Sequence, residues 1–103
     1  MTNRQEVAKT IMSQIKATDY WALGAWGANN YIATEYKGMN CLKFKVSGTK
    51  AKRGSWVIVS LNEGTDTYEV TIYRLLKGNF KIDNEAEGVY CDSLVQVIDG
   101  MVG

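Results

Sequence analysis

The chain has 103 residues, of which 46% are hydrophobic and 22% are charged, and its formal net charge is +1. This composition is typical of a globular protein, the length fits a single domain over residues 1–103, and the overall charge favours no class of partner. Histidine is absent, which excludes Ser-His-Asp catalysis, Cys-His catalysis and every zinc site with a histidine ligand. The two cysteines, Cys41 and Cys91, are too few for a four-cysteine zinc site within one chain.

The opening sequence, MTNRQEVAKTIMSQIK, is polar and lacks the apolar run of a signal peptide. No apolar run approaches the roughly 20 residues that a membrane-spanning helix needs. We therefore expect a cytoplasmic protein without a membrane partner. In that compartment Cys41 and Cys91 are expected to be reduced and at least half-buried, with a disulfide between them as the alternative.

The same opening sequence predicts the first helix. Val7, Ile11 and Ile15 recur at every fourth position, which forms the apolar stripe of an amphipathic helix. Thr18 and Asp19 interrupt this pattern, so we expect the helix to end there.

Strand patterns follow the helix. The aromatic segment at residues 20–36 predicts strands over 20–26 and 31–36, which a Gly-Ala-Asn-Asn turn at residues 27–30 joins. In the LKFKV segment at residues 42–46, Leu, Phe and Val alternate with two lysines. This alternation predicts a strand with one apolar and one basic face.

The second half of the chain predicts further strands and a final helix. The WVIVSL segment at residues 56–61 is apolar on both faces, which predicts a central strand. Residues 67–76 and a short segment that begins at Phe80 predict two more strands, and residues 91–102 predict a C-terminal helix. The order favours an α+β fold: a small antiparallel sheet of four to six strands, with an N-terminal and a C-terminal helix on one face.

Several motifs carry a family resemblance: LGAWGANNYI at residues 23–32, LKFKV at 42–46, VSLNEGTDTYEVTIYR at 59–74 and EAEGVYCDSL at 85–94. Their order resembles that in a group of small proteins without an assigned activity that bacteriophages and integrated mobile elements encode. The resemblance implies a bacterial host cell and an accessory role, as an inhibitor of host defence or as a handler of the element's nucleic acid. It supplies no catalytic residue.

Charge is distributed unevenly, with basic residues concentrated in residues 1–56 and acidic residues in 57–103. The bases are densest on one predicted strand and the loop after it: Lys43, Lys45, Lys50, Lys52 and Arg53. A basic ribbon with aromatic neighbours binds single-stranded nucleic acid by phosphate contact and base stacking. Two other interpretations stay open: contact with an acidic protein surface, and a solvated strand whose lysines protect an edge from aggregation.

A second candidate surface is aromatic and consists of Trp21, Trp26, Tyr31 and Tyr36. Exposed aromatic side chains are typical of protein interfaces. The alternative is core packing, because large rings fill much of the volume of a small domain.

Acidic residues form a third cluster, made of Asp83, Glu85 and Glu87, with Asp92 beyond them. Alternating acids on a strand share one face and are able to hold Mg²⁺ or Ca²⁺. The other interpretations are a solvated turn and a mimic of nucleic-acid charge. No EF-hand spacing, glycine-rich dinucleotide motif or phosphate-binding Gly-Lys-Ser/Thr motif occurs in the chain. We therefore expect no metal, no cofactor and no enzyme activity.

These observations favour a small non-catalytic accessory protein of a phage or mobile element. It would act by binding a protein of the host or of the element, and inhibition of a host defence system is the role that the resemblance suggests. The alternative is a nucleic-acid-binding accessory protein that uses the basic strand and hairpin at residues 43–53. The sequence leaves the identity of the partner and the oligomeric state open.

Overall fold

The computed structural model of the protein describes residues 3–47 and 52–102. The elements follow one another as α1 (Arg4–Thr18), α2 (Ala22–Ala25), β1 (Asn29–Tyr36), β2 (Met39–Lys45), β3 (Trp56–Asn62), β4 (Thr67–Leu76), β5 (Asn79–Val89) and α3 (Leu94–Val102). The strands form one antiparallel sheet in the order β1-β2-β3-β4-β5. The predicted α+β fold, with helices at both ends, is confirmed.

Local interactions of the chain determine where helix α1 begins and ends. The Asn3 side chain accepts a hydrogen bond of 2.8 Å from the backbone N–H of Glu6, which caps the first turn. The predicted stripe, Val7, Ile11 and Ile15, is fully buried against the sheet. Extended backbone at Asp19 ends the helix where the sequence predicted.

The strand predicted over residues 20–26 is wrong, because this segment contains the short helix α2. Ala22, Leu23 and Trp26 are its buried residues, a spacing that follows the helical period rather than the two-residue period of a strand. Alanine also has the highest helix propensity. The Trp26 indole N–H donates a hydrogen bond of 3.0 Å to Asp99, which ties this segment to α3.

The main core lies between the helices and one face of the sheet, here called the helix-covered face. Strand β3 is central, as predicted, and is flanked by β2 and β4. Alternate residues of these strands enter the core: Leu42, Phe44, Val57, Val59, Val70 and Ile72. The opposite face carries none of the described helices and is called the helix-free face.

Strand β5 is longer than the sequence predicted. It runs through the acidic stretch to Val89, with two shifts in its register against β4. One shift lies between the β4 residues Ile72 and Tyr73 and takes up Asp83 as an extra residue of β5. Helix α3 then begins at Leu94, as predicted for a helix capped near Ser93.

Candidate binding surface on the helix-free face

The helix-free face carries side chains that alternate with those of the main core: Ile32, Tyr36, Cys41, Lys43, Lys45, Trp56, Ile58, Tyr73, Leu75, Phe80 and Ile82. Strand register brings many of them together. Lys45 lies opposite Trp56, Trp56 opposite Tyr73, and Leu75 opposite Phe80. One aromatic or apolar side chain therefore meets the next across β3, β4 and β5.

A second, smaller core lies under this face. Cys41, Ile58 and Tyr73 are buried there, although no described helix covers them. The half-buried rings of Tyr36 and Trp56 pack against them. Burial raises the pKa of the Cys41 thiol to about 11, so this thiol is neutral and unreactive at neutral pH.

The sheet curls over this second core. Tyr36 lies at the end of the edge strand β1, and Phe80 lies at the start of the opposite edge strand β5. Their ring centroids are nevertheless only 6.1 Å apart, and Phe80 stacks on Tyr73 at 4.3 Å. Strand twist draws two diagonal corners of a sheet toward the same side, and here the corner side chains meet over the helix-free face.

Lys43 is held in the middle of the face by two rings. Its Nζ lies 4.8 Å from the centroid of the Trp56 ring and 5.3 Å from that of Tyr73. These distances are within the range of cation–π attraction. Lys37 lies in the same way over Tyr36, at 5.3 Å. Positive charge is therefore built into the aromatic cluster formed by Tyr36, Trp56, Tyr73 and Phe80.

Beside the aromatic cluster, the β4–β5 hairpin exposes an apolar patch. Leu75 is 60% exposed, Phe80 46% and Ile82 40%. The cross-strand pairs Leu75–Phe80 and Tyr73–Ile82 place these side chains next to one another. Contiguous exposed apolar side chains of this kind mark binding surfaces in folded proteins.

Basic side chains gather at the same end of the sheet. The antiparallel order places the β2–β3 loop and the β4–β5 turn together at that end. The end carries Lys45, Lys52, Arg53, Lys77 and Lys81. Nearby, Arg74 donates two hydrogen bonds to Asp83, one of them 3.0 Å from Nη2 to Oδ1. This pairing, with smaller effects from Lys52 and Lys81, lowers the pKa of Asp83.

Acidic groups lie toward the other end of the face. Glu69 pairs across the strands with Ser60, and Glu69 and Glu87 line one cavity beside the β3–β4 turn. Glu85 lies opposite Thr71. The face therefore has more basic residues at one end and more acidic residues at the other, although Lys37 lies over Tyr36 at the acidic end.

The predicted basic set is brought together only in part. Lys43 and Lys45 lie on the helix-free face, opposite the buried Phe44, as the strand alternation predicted. Lys52 and Arg53 are exposed in the following loop. Lys50 lies outside the described residues. Lys43 is not a freely solvated lysine, because its amine lies against the rings of Trp56 and Tyr73.

The predicted aromatic set does not form one surface. Trp26 is 0% exposed and cannot contact a partner, so its inclusion was wrong. Trp21 is 77% exposed, but it lies beside Tyr20 in the turn before α2. Tyr31 packs against Phe44 on the helix-covered side, with ring centroids 5.8 Å apart. Only Tyr36 belongs to the candidate surface.

Three rings of the candidate surface were not assigned to a site from the sequence: Trp56, Tyr73 and Phe80. The alternation in β3 and β4 contains the signal, because it places Trp56 and Tyr73 opposite the core positions. The contact of Phe80 with Tyr36 follows from the curl of the sheet, which no local pattern encodes.

The acidic cluster predicted from the sequence also does not form one site. Asp83 is paired with Arg74, whereas Glu85 and Glu87 lie on the helix-free face. Within residues 3–47 and 52–102, no group of three or more Cys, Asp or Glu side chains is placed to hold a metal ion. Both cysteines are free; Cys41 is buried as expected, whereas Cys91 is exposed.

Comparison with family models, with curated proteins and with solved structures finds no match for this chain. The resemblance to phage and mobile-element proteins therefore stays a prediction. In the described part of the chain, no helix is long and apolar enough to cross a membrane.

Proposed function

We propose that this chain is a non-catalytic accessory protein that binds another protein through the helix-free face. The observation that carries the proposal is the exposed apolar patch of Leu75, Phe80 and Ile82 beside the aromatic cluster. Protein interfaces have this composition, with aromatic and aliphatic anchors at the centre and polar groups at the rim.

The charges around the patch indicate the chemistry of the partner. Lys45, Lys52 and Lys77 lie at the same end of the sheet as the patch, and none of them forms an ion pair with a described residue. A complementary partner presents apolar side chains at its centre and carboxylates around them. The partner is a protein of the host or of the mobile element, and binding covers its surface. Inhibition of a host defence system is the role that fits such a mechanism.

The same face is less suited to nucleic acid, the alternative from the sequence. Base stacking needs free ring faces, whereas Tyr73 is buried under Phe80, and the Lys43 amine lies over both Trp56 and Tyr73. Glu69 and Glu85 on the same face repel phosphates. The alternative depends mainly on the loop residues Lys52 and Arg53.

The proposal is tested by capture from a bacterial lysate with matched variants. Leu75→Ser and Phe80→Ser remove apolar area from the face, and Trp21→Ser removes a more exposed ring elsewhere. We expect the original chain and Trp21→Ser to retain the same protein, and both face variants to lose it. Because Phe80 also packs on Tyr73, Leu75→Ser keeps the test valid if Phe80→Ser unfolds. Equal capture by all four chains, or no captured protein at low and moderate salt, would contradict the proposal.

A titration with fluorescent single-stranded and double-stranded oligonucleotides tests the alternative. Binding that weakens with salt, by a slope of about 0.9 per duplex phosphate contacted, and that is lost on replacing Lys45, Lys52 and Arg53 by Ala would favour a nucleic-acid-binding role. We expect no such binding.

A further inference from the structure

The two edges of the sheet differ in their protection against pairing with another strand. Edge strand β5 contains two register shifts and a glycine, Gly88, with a positive φ of 64°. It also carries exposed charges at Lys81, Glu85 and Glu87. Bulges and charges of this kind keep a sheet edge from joining another chain.

Edge strand β1 has one register shift, between Asn29 and Ile32, and is regular beyond it. From Ile32 to Tyr36 it pairs regularly with β2, and Glu35 is the one charged residue in the strand. No described residue pairs with its outer side. Ile32 is 43% exposed beside this edge. A regular edge strand without internal lysine or proline is a template for strand addition.

The regular part of β1 is complementary to itself. In an antiparallel pair with its twofold axis at Thr34, Ile32 lies opposite Tyr36 of the second copy on the helix-free face. Thr34 lies opposite Thr34 of the second copy, and Thr–Thr and aliphatic–aromatic pairs are favourable across strands. A twofold axis perpendicular to the sheet keeps both helix-free faces on the same side.

The helix-covered side of the β1 edge is also complementary, in shape and charge, to the same side of a second copy. A groove of about 280 Å³ lies between α1 and the edge, because Ala8 and Ala33 leave space above Leu42. Lys9 lines this groove and forms no ion pair with a described residue. In the same register, Glu35 of the second copy lies opposite Ala33, which brings a carboxylate to Lys9. Glu35 already points to the helix side, where Arg4 lies 3.5 Å from it.

We propose that two copies of this chain join β1 to β1 in an antiparallel pair centred on Thr34. The two five-stranded sheets then form one sheet, and the two helix-free faces form one continuous surface. This dimer is independent of the proposed protein partner, because it uses an edge of the sheet and leaves the apolar patch at the β4–β5 hairpin free.

Molar mass from light scattering over a range of protein concentrations tests the dimer, with two matched variants. Ile32→Lys places a charge at the β1 edge, and Ile82→Lys places the same charge on β5 at a side chain of similar exposure. We expect the original chain and Ile82→Lys to have twice the monomer mass, and Ile32→Lys to have the monomer mass. A monomeric original chain, or a dimer that only Ile82→Lys breaks, would overturn the proposal.

Crosslinking tests the register. Directly opposite side chains in an antiparallel pair have Cβ atoms about 4.5–5.5 Å apart, so Thr34→Cys is placed to form a disulfide across the axis. Two native thiols are replaced first: the exposed Cys91 by Ser, and Cys41, which lies directly opposite Thr34 in the same chain, by Ala. Ser13→Cys on α1 serves as the control for random collision. We expect rapid conversion of Thr34→Cys to a covalent dimer under mild oxidation and little conversion of Ser13→Cys. Equal conversion of the two variants would exclude pairing centred on Thr34.

Discussion

The two faces of the sheet bury their side chains by different means. On the helix-covered face, α1, α2 and α3 close a core that includes Trp26, Phe44 and Leu94. On the helix-free face, Cys41 and Ile58 are buried under rings that the sheet itself supplies. The helix-covered face is thus closed by helices, whereas the core of the helix-free face is covered by side chains of the sheet that remain partly exposed.

The two faces of this small domain therefore have different roles. The helix-covered face contributes stability, and the helix-free face is available for recognition. The buried residues under the helices are at most 8% exposed and contribute to the stability of the fold. The residues over the second core are partly exposed and therefore accessible to a partner, and Lys43 gives them a positive charge. The predictions below test this difference through the stability of variants at individual side chains.

The largest expected effect is at Trp26. Trp26→Ala should lower the free energy of unfolding by about 3–5 kcal/mol, because it leaves a cavity between α2, α3 and the sheet. It also leaves Asp99 without its indole donor. Trp21→Ala should change stability by less than about 0.5 kcal/mol. Chemical denaturation of the two variants measures the difference, and equal losses would contradict the assignment of Trp26 to the core.

A matched pair of isoleucines compares the two faces directly. Ile72 and Ile58 are equally buried on neighbouring strands, one on each face. Ile→Ala in a core costs about 2–5 kcal/mol, and less where the surroundings collapse into the cavity. We expect Ile58→Ala near the lower end, because the rings above it are free to move inward, and Ile72→Ala higher. Denaturation curves that rank them in the reverse order would show that the second core is the more rigid one.

Lys43 offers a smaller test of the helix-free face. Lys43→Met keeps most of the length of the unbranched side chain and removes its charge from the rings of Trp56 and Tyr73. The expected loss of stability is about 0.5–1 kcal/mol, the usual size of an exposed cation–π contact. Lys45→Met on the same strand should be close to neutral. If both variants have the stability of the original chain, the two ring contacts of Lys43 do not contribute to the fold.

The smallest expected effect depends on pH and involves Asp83. Arg74 lowers the pKa of this carboxyl in the folded state, so the ionised form stabilises the fold. This contribution is present above the unfolded-state pKa of about 3.9 and is lost as the pH falls through the lower folded-state value. Asp83→Asn should therefore be less stable than the original chain at neutral pH and equally stable in strong acid. A difference that does not change between pH 7 and pH 2 would exclude this origin.

Local patterns in the sequence were enough to predict most of the fold. The four-residue spacing of Val7, Ile11 and Ile15 predicted α1, and the alternation of Leu42 and Phe44 with lysines predicted β2 and its two faces. The segment at residues 20–26 was misassigned because its aromatic residues suggested a strand, whereas burial of Trp26 against Asp99 and Phe44 favours one turn of helix. That contact joins distant parts of the chain, and no local pattern contains it.

The candidate surface was predictable only in part. Lys43 and Lys45 were identified as a basic face from alternation alone. Their neighbours Tyr73 and Phe80 come from strands far along the chain, and the register of β4 and β5 decides which side chains meet. The curl that brings Tyr36 to Phe80 arises from strand twist accumulated over the whole sheet. A list of motifs cannot supply that geometry.

The three tryptophans have one practical consequence for spectroscopy. Trp21 is in water, Trp26 is sealed in the main core, and Trp56 is half-buried beside Lys43. Chains that keep one tryptophan and carry Phe at the other two positions separate these environments by their fluorescence. A soluble quencher should reduce the emission of Trp21 strongly and that of Trp26 very little. The emission of Trp56 should be quenched to an intermediate degree, and it should change when a molecule binds to the helix-free face.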